Sequence, residues 1–156
     1  MDTKKYFGVS GLMDLFRRTF DGEAWHGPSI MKVLRAFPVT QVNARVGESH
    51  SVIELVEHIT AWRKFVIERL RGKKNFELTE LENFRPQEGA KDKEWADALA
   101  GLEDSQLELL ELLQDFPGSE LSELVDGRSY PYYVLLHGLI HHDLYHLGQI
   151  VLLKKV

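Results

Sequence analysis

The chain has 156 residues, a formal net charge of −5 and no cysteine. That length fits one domain with a core large enough to stand without staples. The acidic balance argues against a nucleic-acid backbone as the main partner, and the missing thiols exclude disulfides, thiolate metal sites and a cysteine nucleophile. Any transition metal must then be held by nitrogen and oxygen. The opening segment MDTKKYFGVSGLMDLF lacks the apolar stretch and small-residue cleavage site of a secretory signal, so a cytoplasmic protein is expected.

From Gly8 to Arg18 the apolar residues Val9, Leu12, Met13, Leu15 and Phe16 recur at helical spacing, and Asp21-Gly22 stops the run. After the Trp25-His26-Gly27 break, Pro28 suits the first position of a short helix carrying Ile30, Val33, Leu34 and Phe37, which Phe37-Pro38 ends. Val39 to Glu48 has too little periodicity for an element and reads as a loop. Ser51-Val52-Ile53-Glu54 matches a capping box, so a helix starts at Ser51 and runs to about Arg71. Its stripe of Leu55, His58, Trp62, Phe65, Val66 and Arg69 should face the core, and Gly72 ends it. The basic cluster Arg69, Arg71, Lys73 and Lys74 reads as complementing the helix dipole at that end.

Lys73 to Gly89 reads as a long connection. Lys91 to Phe116 sets Trp95, Leu99, Leu102, Leu109, Leu112 and Leu113 among acidic residues, the pattern of an outer helix with one buried face. Phe116-Pro117-Gly118 terminates it, and Ser119 to Ser129 is a polar connection with room for one helical turn at Glu120 to Val125. Pro131 is placed for the first turn of a final helix, closed by Lys154 and Lys155 with favourable charge. Strand signals are nearly absent. The expected fold is an all-α four-helix bundle forming a single domain over residues 1–156.

The final segment, Tyr130 to Val156, carries four of the seven histidines, with Asp143 its only side-chain carboxylate. It is apolar nearly all round and is expected to be buried; the histidines and Asp143 argue against a membrane span. Two pairs have four-residue spacing, His137 with His141 and His142 with His146, but His141 and His142 point about 100° apart, so only one pair faces the bundle axis. The second pair continues a stripe through Leu135, Leu139, Gln149, Ile150 and Leu153, beside Gly148, which permits close helix approach. With His58 on the buried stripe of another helix, it supplies three nitrogen ligands and leaves coordination positions for water or substrate. The alternative is that each histidine is a core residue bonded to a carbonyl or carboxylate. His26 and His50 fit exposed or polar-network positions, and Glu54 and Glu57 fit a solvated helix face better than partners of His58.

Ser51 to Trp62, SVIELVEHITAW, and His142 to Ile150, HDLYHLGQI, resemble the two signature regions of the DinB-like (DinB/YfiT) family of metal-binding four-helix bundles. Trp25 to Ser29 and the helix from Trp95 to Leu113 are similar to that family as well, so the likeness covers most of the chain. The resemblance implies that His58, His142 and His146 are a metal triad, holding zinc, nickel or a similar divalent ion with water completing the shell. It implies a metal-dependent enzyme acting on a small-molecule substrate, either a transferase using a low-molecular-weight thiol cosubstrate or a hydrolase, with a non-catalytic metal-binding bundle of stress-related or interaction role as the alternative. A homodimer is also implied. The likeness departs at Leu147, where many relatives carry arginine.

Overall fold

The computed structural model describes residues 7–154, so the segment before Phe7, with the reading of it as no secretory signal, and the closing charge of Lys155 lie outside the described residues. Four long helices form the frame: α1 (Gly8–Asp21), α3 (Val52–Leu70), α5 (Asp92–Gln114) and α6 (Tyr132–Leu153). Two short ones, α2 (Ile30–Arg35) and α4 (Glu80–Asn83), lie in the connections, with single 3₁₀ turns at Val39–Gln41 and Gly118–Ser122. The fold is all-α, as the periodicity predicts. Two isolated bridges, Ala24 with Gly27 and Leu124 with Pro131, are the extended pairings among the described residues. No helix among them is long and apolar enough to cross a membrane.

α3 starts where the capping box places it. Ser51 N–H donates to Glu54 Oε2 at 2.8 Å and the Ser51 hydroxyl accepts from Glu54 N–H at 3.5 Å, which satisfies donors that a helix start leaves unpaired. Its end is a glycine cap: Gly72 sits at φ +78°, and Lys73 N–H returns to the Glu68 carbonyl at 3.0 Å. Between those ends α3 is buried on most sides, because α5 and α6 pack against it and α4 folds over it.

The core divides in two. Ile30, Met31, Leu34, Ile53, Val56 and Ile150 belong to one apolar cluster, and Leu12, Phe16, Val66, Leu109, Leu113 and Leu136 to the other. Between them, at the level of residues 58–63 of α3 and 142–146 of α6, lies a polar layer. Its centre is an ion pair with both partners 1% exposed: Arg63 donates through Nε (3.0 Å) and Nη2 (2.7 Å) to Asp143 Oδ2. Arg63 Nη1 also donates to Gln106 Oε1 on α5 at 2.7 Å, and the guanidinium lies 4.8 Å from the centroid of the Phe20 ring on α1. One side chain thus ties all four long helices.

Several expectations need correction. The basic cluster at the end of α3, with Arg69 in its last turn, does more than face the helix dipole: it forms ion pairs and loop contacts. Arg69 is buried and donates to the carbonyls of Phe76 and Asp126, while Arg71 pairs with Glu68 and Glu108, Lys73 with Glu68 and Lys74 with Asp126. Glu54 is buried, because its carboxylate also accepts from Gln87 N–H at 2.9 Å and Arg45 at 3.2 Å. Leu15 is exposed, Pro131 stands at the N-cap of α6, and α6 leaves one face uncovered. Gly148 lies on that face with no atom within 4 Å of a Cβ built there, so it mediates no close approach within the chain.

Candidate metal centre

The polar layer ends in three imidazoles. α3 contributes His58 and α6 contributes His142 and His146, one turn apart, and one ring nitrogen from each lies within 4.8 Å of the others. Nε2 of His58 and Nε2 of His142 are 3.0 Å apart. Two nitrogens each about 2.1 Å from a shared ion would lie about 3.0 to 3.4 Å apart, so this pair has the spacing of two ligands. His58 and His146 are buried, whereas His142 is half-buried.

The outer nitrogens determine which tautomer each ring adopts. A backbone carbonyl only accepts, so His58 Nδ1 donates to Asn83 O at 2.7 Å and presents a lone pair on Nε2. His146 Nδ1 donates to Gln149 Oε1 at 2.7 Å, with the same result. Such outer contacts are how proteins orient metal-ligating imidazoles. His142 differs: its Nδ1 is buried without a hydrogen-bond partner, 3.8 Å from Asp143 Oδ1, which has none either. A lone pair on Nδ1 would face the carboxylate's own lone pairs, whereas a proton there would face a negative charge. With His58 Nε2 an acceptor, the 3.0 Å contact between the two rings makes His142 Nε2 its donor; His142 takes the ligating form when its proton sits instead on Nδ1, facing the Asp143 carboxylate.

Electrostatics act in the same direction. Burial pushes His58 down from its ordinary 6.5 to about 4, partly offset by the Asn83 carbonyl and reinforced by His146, His142 and His50. Burial also lowers His146, against the pull of Gln149. Both rings are therefore neutral and available as ligands at neutral pH.

The long connection from Lys73 to Gly89, in which no helix is expected, supplies the wall of the site. Thr79 and Glu82 form a second capping box that starts α4, and α4 delivers Asn83 and Phe84. Asn83 holds His58 through its carbonyl and accepts from Trp62 Nε1 through Oδ1 at 2.9 Å. The Phe84 ring stacks on His58 (centroids 3.9 Å, planes 5° apart) and on His50 (3.6 Å, 2°). Two rings cannot share one face at those distances, so Phe84 is sandwiched between them. Nothing in the spacing of histidines signals Asn83 or Phe84; the Thr79-Glu80-Leu81-Glu82 cap was the readable clue. His50 thus stands beside the site without joining the triad. His26 is exposed, and His137 and His141 face away from the triad, His137 donating to the Tyr133 carbonyl at 2.9 Å.

Two recesses flank the imidazoles. A groove of about 240 Å³, walled by Trp62, Val66, Tyr130, Val134 and Leu139, reaches His142, and a cavity of about 350 Å³ adjoins His50 and Gln149. Neither the groove's walls nor its floor carries a lysine, arginine or carboxylate.

An all-helical frame whose histidines converge from two helices defines a bundle with a candidate metal site. The chain belongs to the DinB superfamily, whose family model matches residues 25–150 and spans all three histidines. No curated protein and no solved structure matches the chain. Leu147 is buried in the core.

Proposed function

We propose that this protein is a divalent-metal enzyme built as a single domain, with His58, His142 and His146 holding zinc or nickel and a remaining coordination position open to water or a small-molecule substrate. The observation that carries this reading is the engagement of His58 Nδ1 and His146 Nδ1 by acceptors outside the triad, which commits both Nε2 atoms to the centre. An ion held by three neutral imidazoles keeps its charge and lowers the pKa of a bound water or thiol. The chain's own residues orient the ligands (Asn83, Gln149), shield one flank from water (Phe84) and admit an uncharged group along the groove at His142. With no cysteine in the chain, a thiol nucleophile arrives as a cosubstrate, and the reaction class is thiol transfer or hydrolysis. Self-association into a homodimer is part of the same reading.

Three protein ligands with the partly exposed His142 beside a groove favour catalysis over a structural shell, which would be closed by a fourth protein ligand. Elemental analysis of purified protein tests the metal. Close to one equivalent per chain is expected, falling to background in His58→Ala and His142→Ala; equal metal content in all three proteins refutes the site. A screen of thiols and electrophiles on the loaded protein then separates transferase from hydrolase.

A further inference from the structure

The outward face of α6 is unlike the rest of the surface. α6 has no lysine or arginine, and its one carboxylate, Asp143, is buried. By contrast, the outer stripe of α5 carries Asp97, Asp104 and Glu111. A helix that is apolar on every side belongs in an interior, yet Val134 is 48% exposed, Tyr145 66% and Leu152 64%. The positions Val134, Gly138, His141, Tyr145, Gly148 and Leu152 are all exposed and spaced four, three, four, three, four, which is the seam spacing of paired helices. Their order also reads alike from both ends: aliphatic, glycine, ring, ring, glycine, aliphatic.

We propose that this stripe is the interface of a homodimer in which two copies of α6 pack antiparallel about a two-fold axis level with residue 143. In that register Val134 meets Leu152 of the partner subunit, Gly138 meets the partner's Gly148, and His141 meets the partner's Tyr145, which is the self-complementarity a two-fold interface requires. The glycines gain a purpose. A Cβ at Gly138 or Gly148 would meet nothing within 4 Å in the monomer, so no contact inside the chain requires glycine at sites where it weakens a helix. Across the axis they would let the two backbones approach closely. A stripe without charge offers nothing to select a charged partner and nothing to repel its own copy.

The area is adequate. The exposed parts of Val134, Tyr145 and Leu152, with the flanking Tyr133 (53%) and Val46 (58%), amount to on the order of 500 Å² on each copy. His141, the glycines and the adjoining loop add to this, against about 800 Å² per partner in a standard interface. Val134 and Gly138 also line the groove that reaches His142, so the same register sets Leu152 of the partner subunit at its rim. This inference gives a surface to the self-association proposed above and does not depend on a bound metal.

Sedimentation of the full chain at micromolar concentration should show a dimer. Gly148→Glu places two like charges at the seam in open space and should weaken dimerisation about a hundredfold or more, with the helical circular dichroism unchanged. The absence of native cysteine permits a test of register. Copies of residue 138 lie about 15 Å apart along the axis in an antiparallel pair, beyond disulfide reach, whereas 138 and 148 face each other. Oxidising a mixture of Gly138→Cys and Gly148→Cys should link the two variants to each other, and neither alone. A monomeric parent, or a dimer unaffected by Gly148→Glu, overturns the interface. A dimer in which Gly138→Cys links to itself, or in which the mixture fails to link, overturns the register while self-association stands.

Discussion

Replacing Arg63 with methionine removes both donors to Asp143 Oδ2 and leaves a carboxylate that is 1% exposed without a counter-charge. It also strips Gln106 Oε1 of its donor and Phe20 of the cation above its ring. Breaking one side of a buried pair costs about 3 to 5 kcal/mol, because the surviving charge is uncompensated. A chain of this size has roughly 5 to 15 kcal/mol of stability to lose. At about 2 to 4 °C per kcal/mol, the melting temperature should fall by roughly 10 °C. Asp143→Leu should cost a similar amount by stranding the guanidinium. The double variant Arg63→Met/Asp143→Leu should recover most of the loss, since a hydrophobic pair of similar volume can replace a buried ion pair at little cost. Urea unfolding of the four proteins, followed by circular dichroism, closes the cycle. Singles that each lose under about 1 kcal/mol, or a double that loses their sum, would refute the polar layer as a coupled unit.

Metal at about a hundredfold excess over its dissociation constant should add about 2.7 kcal/mol to the parent, and none of this to His146→Ala; equal shifts in calorimetry would count against the triad. Gln149→Leu removes the acceptor of His146 Nδ1 and should weaken metal binding by about 10- to 100-fold while the fold melts normally, an outcome read by competition with a chelating dye. In the metal-free protein, the depressed His58 means the unfolded chain binds more protons than the folded one between about pH 6.5 and 4. Stability is fully present above pH 6.5 and should decline through that window by up to about 3 kcal/mol. His58→Gln should flatten this part of the profile, and a parent profile already flat there would refute the burial argument.

The legible parts of the chain were those with local causes. Ser51 and Glu54 announce α3 because a capping box is closed within four residues, and His58, His142 and His146 announce themselves because helical spacing puts two on one face and the third on a buried stripe. Arg63 was invisible because a charge on a helix is ordinarily solvated; only Asp143, Gln106 and Phe20, contributed by three other helices, make its burial tolerable. Asn83 and Phe84 were missed for the same reason at longer range, since a one-turn helix in a connection has no periodicity to read. The exposure of Tyr145 and Leu152 defeated the expectation of a buried α6, because hydropathy reports that a face should be covered without saying by what.

The single turn Glu80–Asn83 has a thermodynamic corollary. Four residues cannot hold a helix in water without help, and this one leans on Thr79 at its start and on the rings of His50 and His58 at its end. Whatever fixes the His58 ring therefore also fixes the strap from Lys73 to Gly89. The susceptibility of that strap to a protease becomes a gauge of occupancy, read on the intact protein without any substrate.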